Sequence, residues 1–94
     1  MEFRDNTFQR QFEVPSPQGT VTVEYSFQER KIFLTRINVP EGFDDEEFVS
    51  DFLRSILENA AERRLKVVPV FPKIALFFRK NPSFRELLPP GIRI

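Results

Sequence analysis

The 94-residue chain contains no cysteine, no histidine and no tryptophan. Without cysteine there is no disulfide framework, no thiolate metal site and no thiol nucleophile. Without histidine the commonest general base and metal ligand is gone. No apolar run approaches the roughly 20 residues of a membrane-spanning helix. The opening Met1-Glu2-Phe3-Arg4 lacks the pattern of a secretory signal, so we expect a cytoplasmic protein outside the membrane. Glycine is also scarce, at three residues, which leaves few places for a loop that wraps closely around a ligand.

What is present is phenylalanine, twelve in all, which predicts an aromatic core with some rings left for a contact surface. The net charge is zero but unevenly spread. Residues 1–62 carry −7 and residues 63–94 carry +7. The basic third holds Arg63, Arg64, Lys66, Lys73, Arg79, Lys80 and Arg85. Those charges accompany no nucleic-acid motif, so nucleic acid is the least favoured partner. A protein partner or a second copy of the chain is favoured over it.

The length fits one domain over residues 1–94. Thr7–Val14 reads as a first strand, closed by the turn-forming run Pro15-Ser16-Pro17-Gln18-Gly19. Thr20–Gln28 alternates, with Val21, Val23, Tyr25 and Phe27 on one face. After a hairpin turn, Ile32–Val39 is a third strand. Its strict alternation places Phe33, Thr35, Ile37 and Val39 together, and Ile32, Leu34, Arg36 and Asn38 opposite. Asp44–Arg64 is a long amphipathic helix with Phe48, Phe52, Ile56 and Ala60 at four-residue steps. Val49, Leu53 and Leu57 widen the stripe. Asp44 and Glu47 are spaced as a capping box, and the acids of this turn suit a helix start. Leu65–Val70 is a short buried strand, parallel to an earlier one. Pro72–Lys80 is a second helix with proline at its first position. Ser83–Leu88 is a turn, and residues 89–94 form a tail. The expected fold is α/β (α+β): an antiparallel meander followed by a βαβ crossover, giving a mixed sheet with two main helices.

Several motifs carry a resemblance. Thr35, Val39-Pro40, Leu65-Lys66-Val67-Val68-Pro69, Phe71-Pro72 and Asn81-Pro82-Ser83-Phe84 follow one another at fitting intervals, and Tyr25 on the second strand fits too. This pattern resembles the small single-domain members of the GNAT acetyltransferase superfamily over most of the chain. The resemblance implies an acetyl-CoA site formed by the end of the third strand, the loop after it and the helix start. The corresponding positions here are Ile37, Asn38, Val39, Phe43, Asp44, Asp45, Glu46 and Glu47.

The chemical positions depart from the family pattern. An Arg/Gly-rich loop holds the cofactor diphosphate in the family, through backbone N–H groups at a helix N-terminus. Here that loop reads Phe43-Asp44-Asp45-Glu46-Glu47-Phe48. The family cysteine falls on Phe71, its His-Thr-Glu strand on Arg36-Ile37-Asn38, and its His-Pro on Asn81-Pro82. Asn38 accepts no proton, and Arg36 stays charged. Adjacent acids at a helix start are ordinarily solvated, so no metal is expected. The resulting expectation is a fold without acetyl-CoA and without catalytic residues, acting as a binding or interaction module. The alternative is an active acetyl-CoA-dependent N-acyltransferase on a small amine or a lysine.

Overall fold

The computed structural model describes residues 1–94. Its elements are β1 (Arg4–Asn6), β2 (Gln11–Ser16), β3 (Gly19–Gln28), β4 (Lys31–Asn38), α1 (Glu46–Glu62), β5 (Lys66–Pro69), α2 (Pro72–Lys80) and a 3₁₀ turn, Pro82–Leu87. The five strands form one sheet in chain order. The first three pairings are antiparallel; β4 and β5 are parallel, joined across α1. This is the expected mixed sheet with two main helices. No helix is long and apolar enough to cross a membrane.

One layer of helices covers one face of the sheet. α1 buries Val49, Phe52, Leu53, Ile56, Leu57 and Ala60, and α2 buries Ile74, Phe77 and Phe78. They join Phe12, Val14, Val21, Val23, Tyr25, Ile32, Leu34 and Val67 in a single core. Fully burying an aliphatic or aromatic side chain contributes about 1.5–3 kcal/mol, so this stripe is what holds α1 on the sheet. Phe3 links the layers, 5.3 Å from the Phe12 ring and 6.0 Å from Phe52. The other face carries the polar Arg4, Asn6, Gln11, Glu13, Thr22, Glu24, Arg36 and Asn38, with Phe33 and Val68 on its β4–β5 side, as the strand register requires. There Glu13 accepts from Arg4 at 2.6 Å, Asn6 at 3.0 Å and Gln11 at 2.6 Å. These donors, Gln11 first, hold its carboxyl below the usual range against the opposing effect of burial.

Three expectations are corrected. The strand expected over Thr7–Val14 begins only at Gln11, because residues 7–10 form a turn with Arg10 at φ 56°, and a further strand, Arg4–Asn6, precedes that turn. The turn lacks glycine and proline, and Asn6 closes it by accepting from the Gln9 N–H at 3.0 Å. The strict alternation of β4 also fails. Arg36 pairs with Glu24 but Leu34 pairs with Tyr25, so Thr35 is an extra residue on β4. Its Oγ1 donates to the Glu24 carbonyl at 3.2 Å. The bulge returns Ile37 to the helix-covered face alongside Leu34 and Ile32. Finally, α1 ends earlier than Arg64. Arg64 takes φ 57°, while the N–H groups of Arg64 and Leu65 donate to the carbonyls of Ala61 and Ala60, a Schellman ending.

Tyr25 is 5 % exposed and its hydroxyl donates to the Asp5 carboxylate, tying β3 to the edge strand β1. Burial first, then the hydrogen bond and charge of Asp5, push the phenol up to about 12, against smaller opposing effects of Arg63 and Arg10. The folded pKa is raised, so this contribution to stability is complete below the unfolded value near 10. It is lost as pH rises through about 12. Tyr25 is the sole tyrosine. A rapid alkaline titration of the folded protein, read by phenolate absorbance, should therefore show one midpoint near 12. A midpoint near 10 would mean that Tyr25 is neither buried nor bonded to Asp5 in solution.

Candidate functional site

The carboxyl ends of β4 and β5 and the amino ends of α1 and α2 meet at one end of the molecule. Two contacts establish this. The Leu34 carbonyl accepts from both Val70 at 3.1 Å and Phe71 at 3.2 Å. Lys73 Nζ, in the first turn of α2, donates to Glu46 Oε2 in the first turn of α1 at 2.7 Å. In open α/β sheets, ligands bind beyond the carboxyl ends of the strands.

The pairing of β4 with β5 runs only from Lys31–Lys66 to Leu34–Pro69. Beyond Pro69, which has no N–H to donate, the chain turns into α2. Arg36–Asn38 is thus paired with β3 alone, and the two strands part. Of the expected site residues, Ile37 packs on the core from this stretch. Asn38 does not face the opening. Its Nδ2 donates to Glu24 Oε2 at 2.6 Å and to Thr22 Oγ1 at 3.1 Å, on the helix-free face of the sheet. Val39 is 48 % exposed at the mouth of the opening.

The loop is built by local rules. Phe43 N–H donates to the Pro40 carbonyl at 3.1 Å, and the Phe43 ring meets Phe48 edge-on at 5.6 Å. Gly19, at φ +140°, lets the β2–β3 hairpin approach this loop, since a Cβ there would lie 3.1 Å from Pro40 Cγ. Asp45 is the N-cap of α1, and its Oδ1 accepts from the Phe48 N–H at 3.0 Å. The cap is therefore one residue later than the Asp44–Glu47 capping box expected from sequence. With Phe48 at the third helical position, no side chain reciprocates. Asp44 and Glu47 are exposed, Glu46 pairs with Lys73, and no three acids converge as metal ligands would.

The structure thus gathers Ile37, Val39, Phe43, Asp44, Asp45, Glu46 and Glu47 at one end and turns the Asn38 amide away. Lys73 is the site residue that sequence spacing did not reveal as such. It lies 27 positions from Glu46, and no local pattern reports so distant a pair. Phe71, at the family cysteine position, is the N-cap of α2 and packs against the core.

This arrangement defines a two-layer α/β domain with parted parallel strands and a helix start at the parting. A family model described as GCN5-related N-acetyl-transferase matches residues 11–87. The chain belongs to that family. The fold is similar to that of a GCN5-like protein from Staphylococcus aureus, solved in solution by NMR. That comparison gives a TM-score of 0.73 at 16 % identity, covering 98 % of this chain and 90 % of the other. No curated protein matches.

Removing the cap tests the local account. Asp45→Ala should lower stability by about 1 kcal/mol in denaturant unfolding, with the slope unchanged. Asp44→Ala, which removes an uncapped neighbour, should change it by less than about 0.5 kcal/mol. Equal effects would show that either acid caps the helix.

Proposed function

We propose that this domain is a cytoplasmic binding or interaction module that keeps the acetyltransferase scaffold and has lost acetyl-CoA chemistry. One observation carries the reading: the N-terminus of α1 is capped by its own Asp45 side chain at the Phe48 N–H and surrounded by acids. Members of the family generally use acetyl-CoA. Its diphosphate needs free N–H donors and positive potential, which glycines and a bare helix start supply. Here the Phe48 N–H is taken by Asp45, and Asp44, Glu46 and Glu47 stand beside it. At about 6 Å and an effective dielectric of ~40–80, each pair of unit charges repels by roughly 0.7–1.4 kcal/mol. Four acids together would weaken diphosphate binding by several orders of magnitude. Lys73 offsets only one of them. The residues present do not fit the cofactor's diphosphate.

The remaining chemical positions support the same reading. Phe71 and Asn81 offer neither nucleophile nor base. Asn38, already incapable of taking a proton, is held against Glu24 and Thr22. The module would then engage another protein or a second copy of this chain.

A second reading rests on the parting of β4 and β5. An active N-acyltransferase on a small amine or a lysine would hold acetyl-CoA through the strand edge at Ile37, Asn38 and Val39. It would gain its rate from positioning alone.

Isothermal titration with acetyl-CoA separates the two. We expect no saturable heat up to millimolar cofactor at low or moderate salt. Saturable binding at micromolar cofactor would overturn the loss of cofactor chemistry and favour the acyltransferase.

A further inference from the structure

Strand β4 has two different edges along its length. Lys31–Leu34 is paired on both sides, whereas Arg36–Asn38 is paired with β3 only and the bulge residue Thr35 with neither neighbour. None of the backbone hydrogen bonds made outside helices and strands goes to Thr35, Arg36, Ile37 or Asn38. No second strand pairs with this stretch, since β5 ends at Pro69 and the chain enters α2. Val39 and Val70, 48 % and 54 % exposed, flank the opening. An unpaired backbone edge with apolar side chains beside it can accept an extended chain as an added strand.

The surroundings select the chemistry of that chain. Glu41, Asp44, Asp45 and Glu47 are exposed at the loop and helix start, and none of them forms an ion pair. Glu46 alone has a cation, Lys73. The one cation on the unpaired stretch is Arg36. The register puts its side chain on the helix-free face beside Glu24, away from the loop acids. An added strand presents alternate side chains to opposite faces. Those on the helix side would meet the acids at the start of α1.

We propose that the free edge of β4 at Thr35–Asn38 binds an extended peptide rich in lysine or arginine by strand addition, with the acids of the Glu41–Glu47 loop selecting its charge. This rests on the reading that acetyl-CoA does not occupy the same opening. Main-chain hydrogen bonds supply the register, and the acids supply discrimination between basic and acidic sequences.

The test is an amide NMR titration with a short peptide alternating valine and lysine, its valine–glutamate counterpart, and acetyl-CoA. The expected result is saturable shifts centred on Thr35–Asn38 with the lysine peptide, weakening with salt. The glutamate peptide should bind at least about tenfold more weakly. The double variant Asp44→Lys, Glu47→Lys changes two exposed side chains that are not the cap. It should weaken the lysine peptide by about tenfold at low salt. Three outcomes would overturn the proposal. If acetyl-CoA is silent and the lysine peptide is silent or shifts residues elsewhere, strand addition fails while the loss of cofactor binding stands. Equal affinity for the two peptides removes the role of the acids. If acetyl-CoA itself saturates the Thr35–Asn38 amides, both readings fail together.

Discussion

The parting of β4 from β5 after Leu34 is the constraint on which the rest of this end of the molecule depends. β4 is fixed by β3 along its whole length, so it cannot follow β5 away. β5 leaves because Pro69 ends its donors and because Leu34 takes the N–H groups of both Val70 and Phe71. That double acceptance bends the chain into α2. α2 then lies beside α1, with Lys73 against Glu46 at one end and the Arg54 guanidinium over Phe77, 5.8 Å from its centroid, further along. The bulge at Thr35 makes the same stretch compatible with the core. Without the extra residue, Ile37 would point to the polar face and Arg36 toward the helices.

The acidic helix start follows from this placement. The first N–H groups of α1 have no partner within the helix. A chain has two ways to satisfy them: leave them for an anion, or supply acceptors itself. Asp45 takes the second course through the Phe48 N–H, and Glu46 and Glu47 add favourable charge in the first turn. Phe43 and Phe48 close against each other over the same turn. The two courses exclude one another, because the acceptor that satisfies the donor also repels the diphosphate. A lone Asp at the cap would weaken an anion site slightly. Four consecutive acids, only one of them paired with a cation, oppose an anion more strongly.

Much of the scaffold was legible in the sequence. The α1 stripe of Phe52, Ile56 and Ala60, with Val49, Leu53 and Leu57, repeats at helical spacing and buries as that spacing implies. The crossover to Lys66–Pro69 follows from a single helix between two short β-rich runs. Local rules stopped where tertiary pairing decided the outcome. The turn at residues 7–10 is held by Asn6 rather than by glycine or proline, and it passed as strand. Thr35 has high β propensity, and nothing in its neighbours announces that β3 skips it. The cap moved from Asp44 to Asp45 because adjacent acids are equivalent in sequence; the turn ending in Phe43 determines which one reaches Phe48. Asn38 has hydrogen-bond partners on another strand, 14 and 16 residues away, and no periodicity could have placed its amide.

Scaffold and chemistry are separable here because they draw on different atoms. The core uses apolar side chains on the helix-covered face, and the expected cofactor positions lie in a loop, on an exposed helix turn and along an unpaired strand edge. Substitutions among Asp44, Asp45, Glu46 and Glu47 leave the burial of Phe52, Leu57 and Val67 untouched. The family fold therefore places no demand on which residues occupy that loop. The strand edge is different: its donors and acceptors are main-chain atoms, and no side-chain change short of proline removes them. An edge beside an acidic loop therefore keeps its hydrogen-bonding groups whatever charge the loop carries.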